Sequence, residues 1–270
     1  MANLIVLFIS TTAILGVTLF IARQFEKRSP IERVQSTAEI VVDWKLAGLR
    51  LVLGKLLSPV TNVCTLILVN AAGGGWIHLQ SDGWWFLLSF IVLILLIDLW
   101  SYLVHRAEHK FPMLWAMHSL HHSAEALSMV TGARHFWLEG PLIQTVFPVL
   151  GIVFWIPPGL ATTIGLFYFI VGEGMAHLNL RVSLGRFALY IQNPQYHRIH
   201  HSVEPQHRDK NFCKLLPLFD VIFGTAWKPG KDEFPETGLD TGEKPAGIFD
   251  GLIWPIRHSF SWSPARSFLR

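Results

Sequence analysis

Thirteen histidines occur in the 270 residues; eight of them fall into close, repeated spacings and a ninth stands between two of the sets. His105 and His109 stand four apart. His118, His121 and His122 follow, then His177 alone, and finally His197, His200 and His201. Residues four apart lie on one helical face, about 6 Å along the axis. Each set therefore reads as a stripe of imidazoles, at i, i+4 in the first and i, i+3, i+4 in the two triplets. A metal's first shell takes about four to six ligands. Nine converging imidazoles exceed what one ion can accept and imply two. Buried without ions, nine rings would leave more polar nitrogens than a protein interior readily satisfies.

The remaining histidines carry weaker readings. His78 falls on the opposite side from the clusters and reads as interfacial. His258 in the tail reads as structural, and His207, in a loop, as solvated.

Four apolar stretches must position these groups: 4–22, 59–79, 84–104 and 141–176. The first is long for a signal-peptide core and lacks a basic leader, so an anchoring span is expected. Residues 41–57, with Asp43, Lys45, Arg50 and Lys55 among apolar positions, are expected to form an interfacial amphipathic helix. The fourth stretch is broken by Pro157, Pro158 and Gly159, which stop or kink a helix. It is expected to be two helices meeting at a turn, 141–156 being short for a full crossing. Residues 76–85 likewise read as a connection between two antiparallel segments. Two crossings between the early and late histidines return the chain to its starting side, so all nine face one compartment. The expected architecture is all-α, with about four transmembrane helices in two hairpins beneath a helical, histidine-rich cap.

Composition agrees with lipid as part of the solvent. The chain is 51% hydrophobic and 15% charged, against about a quarter charged in soluble domains. The 22 Lys and Arg residues avoid 1–3, 76–84 and 155–160. By the positive-inside rule the basic, histidine-bearing side is cytoplasmic. That distribution explains the net charge of +3 better than a nucleic-acid surface, and no nucleic-acid partner is expected. Cys64 and Cys213 form no Cys-x-x-Cys motif, which argues against a disulfide framework, a zinc ribbon and an iron–sulfur cluster.

The order H-x-x-x-H, H-x-x-H-H, lone His, H-x-x-H-H resembles the fatty acid hydroxylase/sterol desaturase superfamily. Further matches are Asp98-Leu-Trp-Ser-Tyr102 ahead of His105-Arg106, Trp115 before His118, and His122-Ser123 with Thr131 and Arg134 downstream. Asp209-Lys-Asn211-Phe212, Phe219-Asp220 and Phe223-Gly224-Thr225 follow the last histidines as in that family. The likeness covers about 84–230. It divides the chain into an anchor with an interfacial helix (1–83), a catalytic domain (84–230) and a cytoplasmic tail (231–270).

The resemblance implies a non-haem centre of two Fe ions, with His105, His109, His118, His121, His122, His177, His197, His200 and His201 as ligands. Where some members carry a further histidine after the lone one, this chain has Arg181, and His135 is the local candidate for completing the shell. It also implies an O2-dependent lipid hydroxylase or desaturase acting on a fatty acyl chain or sterol. With no flavin, haem or nicotinamide motif in the sequence, electrons would come from an external ferredoxin or cytochrome b5-type donor.

Asp98, Tyr102 and His105 share a face at i, i+4, i+7. An acid inside an apolar span is costly and functional by default, so Asp98 and Tyr102 are expected at the site, Asp98 accepting a hydrogen bond from a ligand imidazole. Glu173, four residues before His177, either does the same or serves helix packing. Arg134 and Asn211 read as structural or supporting, and Arg198 as paired with an acid. A membrane metal-ion transporter or a catalytically silent metal-binding protein is the rival reading. Transporters place their ligands near the bilayer midplane, whereas these histidines lie at the ends of the apolar segments.

Overall fold

A computed structural model describes residues 17–258 other than 19, 29, 32, 33 and 81. Most of the expected span 4–22 lies outside the described residues. From residue 20 to 28 the chain is helical.

The helix α1 (Thr37–Ala71) is 35 residues long and opens on a capping box, in which Ser36 Oγ accepts from Glu39 N and the Glu39 carboxylate accepts from Ser36 N. The expected interfacial helix and the second apolar segment are thus one continuous element. Pro59 does not break it, because the Lys55 carbonyl that loses its amide partner is taken by Ser58 Oγ at 3.0 Å. Leu51, Val52, Leu56, Val60, Val63 and Leu66 are exposed along it, as expected of a lipid-facing surface.

The short strand β1 (Ile77–His78) leads into α2 (Gly83–Lys110), 28 residues long. Phe111, extended because it precedes proline, turns the chain into α3 (Pro112–His122), with Pro112 in the first turn. Next come α4 (Glu139–Gln144), α5 (Val146–Val153) and strand β2 (Phe154–Trp155). Helix α6 (Pro158–Phe167) runs on through a π-helical segment, Tyr168–Gly174, and a 3₁₀ turn, Met175–His177. Helix α7 (Pro194–His200), the short α8 (Leu218–Ile222) and α9 (Ile248–His258) complete the described chain.

Among the described residues three helices are long and apolar enough to cross a membrane: Thr37–Ala71, Gly83–Lys110 and Pro158–His177. The expected helix 141–156 is instead α4 and α5, a shorter apolar stretch interrupted at Thr145. The two connections do meet. β1 pairs with β2 in parallel, Ile77 opposite Phe154 and His78 opposite Trp155, and His78 stacks on Trp155. At 1.5 Å per residue, His105 stands roughly 33 Å along α2 from Gly83. The histidine clusters and the hairpin tips therefore occupy opposite ends of the helices.

Leu93, Ile94, Val146, Leu150, Leu160, Ile164 and Leu215 form the core between the spans. Above it, Leu46, Leu120, Phe136 and Trp254 pack together, and Trp254 Nε1 donates to Ser119 Oγ at 2.9 Å. The tail thus closes over α1 and α3.

Candidate metal centre

The nine histidines converge as two groups. Ring nitrogens of His105, His109, His118, His122 and His200 lie within 4.8 Å of one another, as do those of His121, His177, His197 and His201. Each triplet serves both groups. His118 and His122 join the first while His121 joins the second; His197 and His201 join the second while His200 joins the first. Helical rotation explains this. Relative to residue i, i+4 is turned about 40° one way and i+3 about 60° the other, at about 100° per residue. The groups are adjacent, with the His122 and His201 rings stacked at 4.4 Å.

Hydrogen bonds behind the rings set their protonation. His105 Nδ1 donates to the Phe212 carbonyl at 2.7 Å, His121 Nδ1 to the Arg134 carbonyl at 3.1 Å, His177 Nδ1 to the Glu173 carbonyl at 2.6 Å, and His200 Nδ1 to the Lys210 carbonyl at 2.9 Å. A carbonyl only accepts, so each Nδ1 carries the proton and each Nε2 presents a lone pair. His118 Nδ1 donates to Glu139 Oε2 at 3.0 Å. Yet His105 Nε2 lies 3.0 Å from His118 Nε2, and His121 Nε2 lies 3.0 Å from His177 Nε2. Lone pairs facing each other at that distance repel unless a cation stands between them. Burial also lowers the pKa of His121, His122, His197, His200 and His201 well below the usual value, and that of His118 to about 4. Neutral imidazoles with inward lone pairs fit transition-metal ions such as iron, zinc or copper.

One loop holds three of these rings. Asp209 and Asn211 adopt positive φ, 57° and 59°, conformations that asparagine and aspartate tolerate best among residues with a side chain. The resulting turn aims the Lys210 carbonyl at His200, the Phe212 carbonyl at His105 and Asp209 Oδ1 towards His109 Nδ1, 3.6 Å away. Asp220 fastens it, accepting from Phe212 N, Cys213 N and Tyr196 OH at 2.9, 2.9 and 3.0 Å. Asn211 locks the other side through Tyr196 O, Trp227 O and Trp227 N.

Several expected residues sit elsewhere. Asp98 does not reach an imidazole: it accepts from Tyr168 OH, Leu215 N and Leu216 N at 2.8, 3.0 and 2.9 Å, and so anchors the 215–216 backbone to α2. Tyr102 OH bonds Thr225 Oγ1 at 2.9 Å, and its ring stacks on Phe223. Glu173 does support His177, but through its carbonyl; its side chain pairs with Lys214. Arg134 bonds Asp43 and Ser123, and Arg198 Nε donates to Pro235 O. His207 is buried rather than solvated, set between Ser202 and Glu233. Arg181 lies over the Phe234 ring.

His135 stands behind the groups, stacked on His121 at 4.0 Å, with Nδ1 on Glu139 at 2.7 Å and Nε2 buried without a hydrogen-bond partner. Glu139 and Glu108 were not anticipated from the sequence. Glu139 is fully buried and receives His118, His135 and Phe136 N. Glu108 Oε2 is 3.6 Å from His118 Nδ1. The usable signal was an acid within the first histidine motif and another where the fourth apolar stretch begins.

The fatty acid hydroxylase family model matches residues 90–225, about half of the sequence and the whole histidine series. The chain belongs to the fatty acid hydroxylase family. Alkylglycerol monooxygenase of Danio rerio is 30% identical over 173 residues, covering 64% of this chain and 35% of that protein. Ornithine lipid hydroxylase OlsE of Rhizobium tropici is 27% identical over 185 residues, covering 66% and 54% respectively. A very-long-chain aldehyde decarbonylase of Oryza sativa subsp. indica is 33% identical over 162 residues, covering 50% and 24%. The chain therefore spans about a third of the alkylglycerol monooxygenase's length. No solved structure matches the chain.

Proposed function

We propose that this chain is a membrane-embedded non-haem diiron oxygenase that hydroxylates, or desaturates, a lipid using O2 and electrons from an external ferredoxin or cytochrome b5-type donor. The observation that carries the reading is the pair of adjacent imidazole groups, with inward lone pairs 3.0 Å apart in each. Relatives named as a monooxygenase and a lipid hydroxylase support the substrate class. Bound iron would pass the donor's electrons to O2 and so activate it to oxidise an unactivated C–H bond.

The chain's own residues do the rest. Main-chain carbonyls and Glu139 hold protons on Nδ1 so that Nε2 stays free. Beside the second group lies a largely apolar cavity of about 640 Å³, within the range of lipid-sized ligand sites. Its walls come from α1, α2 and α4–α6, and Glu173 and Lys214 line it, so an acyl chain lying in it would approach the metals past that ion pair. A cytoplasmic site is supported by the absence of Lys and Arg from the paired hairpin tips at the far end.

Expression with iron under 18O2, followed by untargeted lipid mass spectrometry, tests the reading. The expected result is about two iron ions per chain and an 18O-labelled lipid, or a new alkene, absent from a His121→Ala control. Metal flux across vesicles without O2 consumption would sink it in favour of a transporter.

A further inference from the structure

The cavity holds a cation that has no mate among the described residues. Arg50 lines it and is half-buried, yet its guanidinium has no hydrogen bond or ion pair among the described residues. Of the other cations that line it, Lys55 is exposed and Lys214 is taken by Glu173. An arginine that only reached out to bulk headgroups would share the exposed face of Leu51 and Val52. Arg50 instead turns toward α4, where a Cβ on Gly140 would lie 3.9 Å from its Nε. Gly140 adjoins Glu139, which holds His118 and His135.

Depth adds a second, independent argument. The tips of both hairpins are paired, so distances along the helices share an origin. Arg50 stands roughly 32 Å from Ala71 along α1, and His105 roughly 33 Å from Gly83 along α2. Charge and histidine cluster lie at one level, near the headgroup boundary of a bilayer about 30 Å thick in its hydrocarbon core. The apolar remainder of the cavity extends the other way, past Ile164 and Ala161 to Ile156 near the hairpin turn.

We propose that Arg50 receives the anionic group of a lipid whose chain fills this cavity, so that the carbon presented to the metals lies close to that group rather than deep in the chain. The shared chemistry is a carboxylate or phosphate oxygen accepting from a guanidinium. This rests on the oxygenase reading above and narrows its substrate class. The competing role is charge balance, since Arg50 is near enough to Glu108 and Glu173 to act on both electrostatically.

The test uses the full chain in neutral detergent, without O2 or reductant, and competes palmitate, dipalmitoyl phosphatidic acid and hexadecanol for the cavity by native mass spectrometry. An anionic probe should outcompete hexadecanol about tenfold, the scale of one charged hydrogen bond. Arg50→Gln should erase the preference and Arg50→Lys should keep most of it. Preference for palmitate alone identifies a free carboxylate, and for phosphatidic acid alone a phosphate headgroup; either supports the site. The wild-type competition overturns the proposal if hexadecanol binds equally well, even should Arg50→Gln fail to fold. A preference that survives Arg50→Gln while bound iron and melting temperature drop assigns Arg50 to charge balance instead. If the anion preference fails but 18O still enters lipid, only the headgroup site falls. If the preference holds and no lipid is oxidised, the oxygenase reading falls and the anion site stands.

Discussion

Asp220 Oδ1 accepts the Phe212 amide at 2.9 Å, and the Phe212 carbonyl in turn accepts His105 Nδ1 at 2.7 Å. One residue thus links a carboxylate that touches no imidazole to a ring of the first histidine group. Asp220→Ala would orphan the buried Phe212 and Cys213 amides and the Tyr196 hydroxyl. The expected loss is about 3 kcal/mol of stability, with weaker metal retention. Thermal melts and metal analysis of the purified protein check this, and unchanged metal retention would disconnect the loop from the centre.

Gly132 is pressed against the support of the second group. A Cβ there would sit 2.6 Å from the Glu173 carbonyl oxygen and 3.1 Å from His177 Nδ1. Gly132→Ala should push that carbonyl off His177 and weaken binding at the four-histidine group first. The readout is metal stoichiometry, falling from about two ions per chain towards one under mild chelation.

Glu139→Gln leaves one oxygen where two imidazole protons now go, and turns an amide N–H₂ on the other side. Metal affinity should drop about 10–100-fold, the usual cost of losing such a partner. Chelator competition measures it. Glu233→Gln, which alters contacts to His207, Trp227 and Gly230 and to no histidine of either group, should leave affinity unchanged; equal losses in both would show a general folding effect.

Stability of the metal-stripped chain should depend on pH in a defined direction. His118 is lowered to about 4 in the fold from 6.5, and His121, His122, His197, His200 and His201 are lowered by the same burial. Between those values the unfolded chain binds more protons. Stability is therefore fully present above about pH 6.5 and declines as pH falls toward 4. A melting temperature that stays flat from about pH 7 to pH 4 would contradict it.

What could be read from the sequence was local. Spacings of three and four fix which residues share a helix face, so the nine histidines were legible, and Pro157-Pro158-Gly159 announced the return of the chain. Tertiary bonding was not legible. Asp98 looks like a partner for His105 seven residues on, but it accepts from amides more than a hundred residues away. Pro59 reads as a boundary until Ser58 is seen to take the freed carbonyl. The division of each triplet depends on which neighbours surround α3 and α7, and periodicity carries no record of that.

That division makes the centre a single unit. Because α3 and α7 each contribute to both groups, straightening one helix would disturb both sets of imidazoles at once. No deletion of one triplet would therefore leave either group of imidazoles intact.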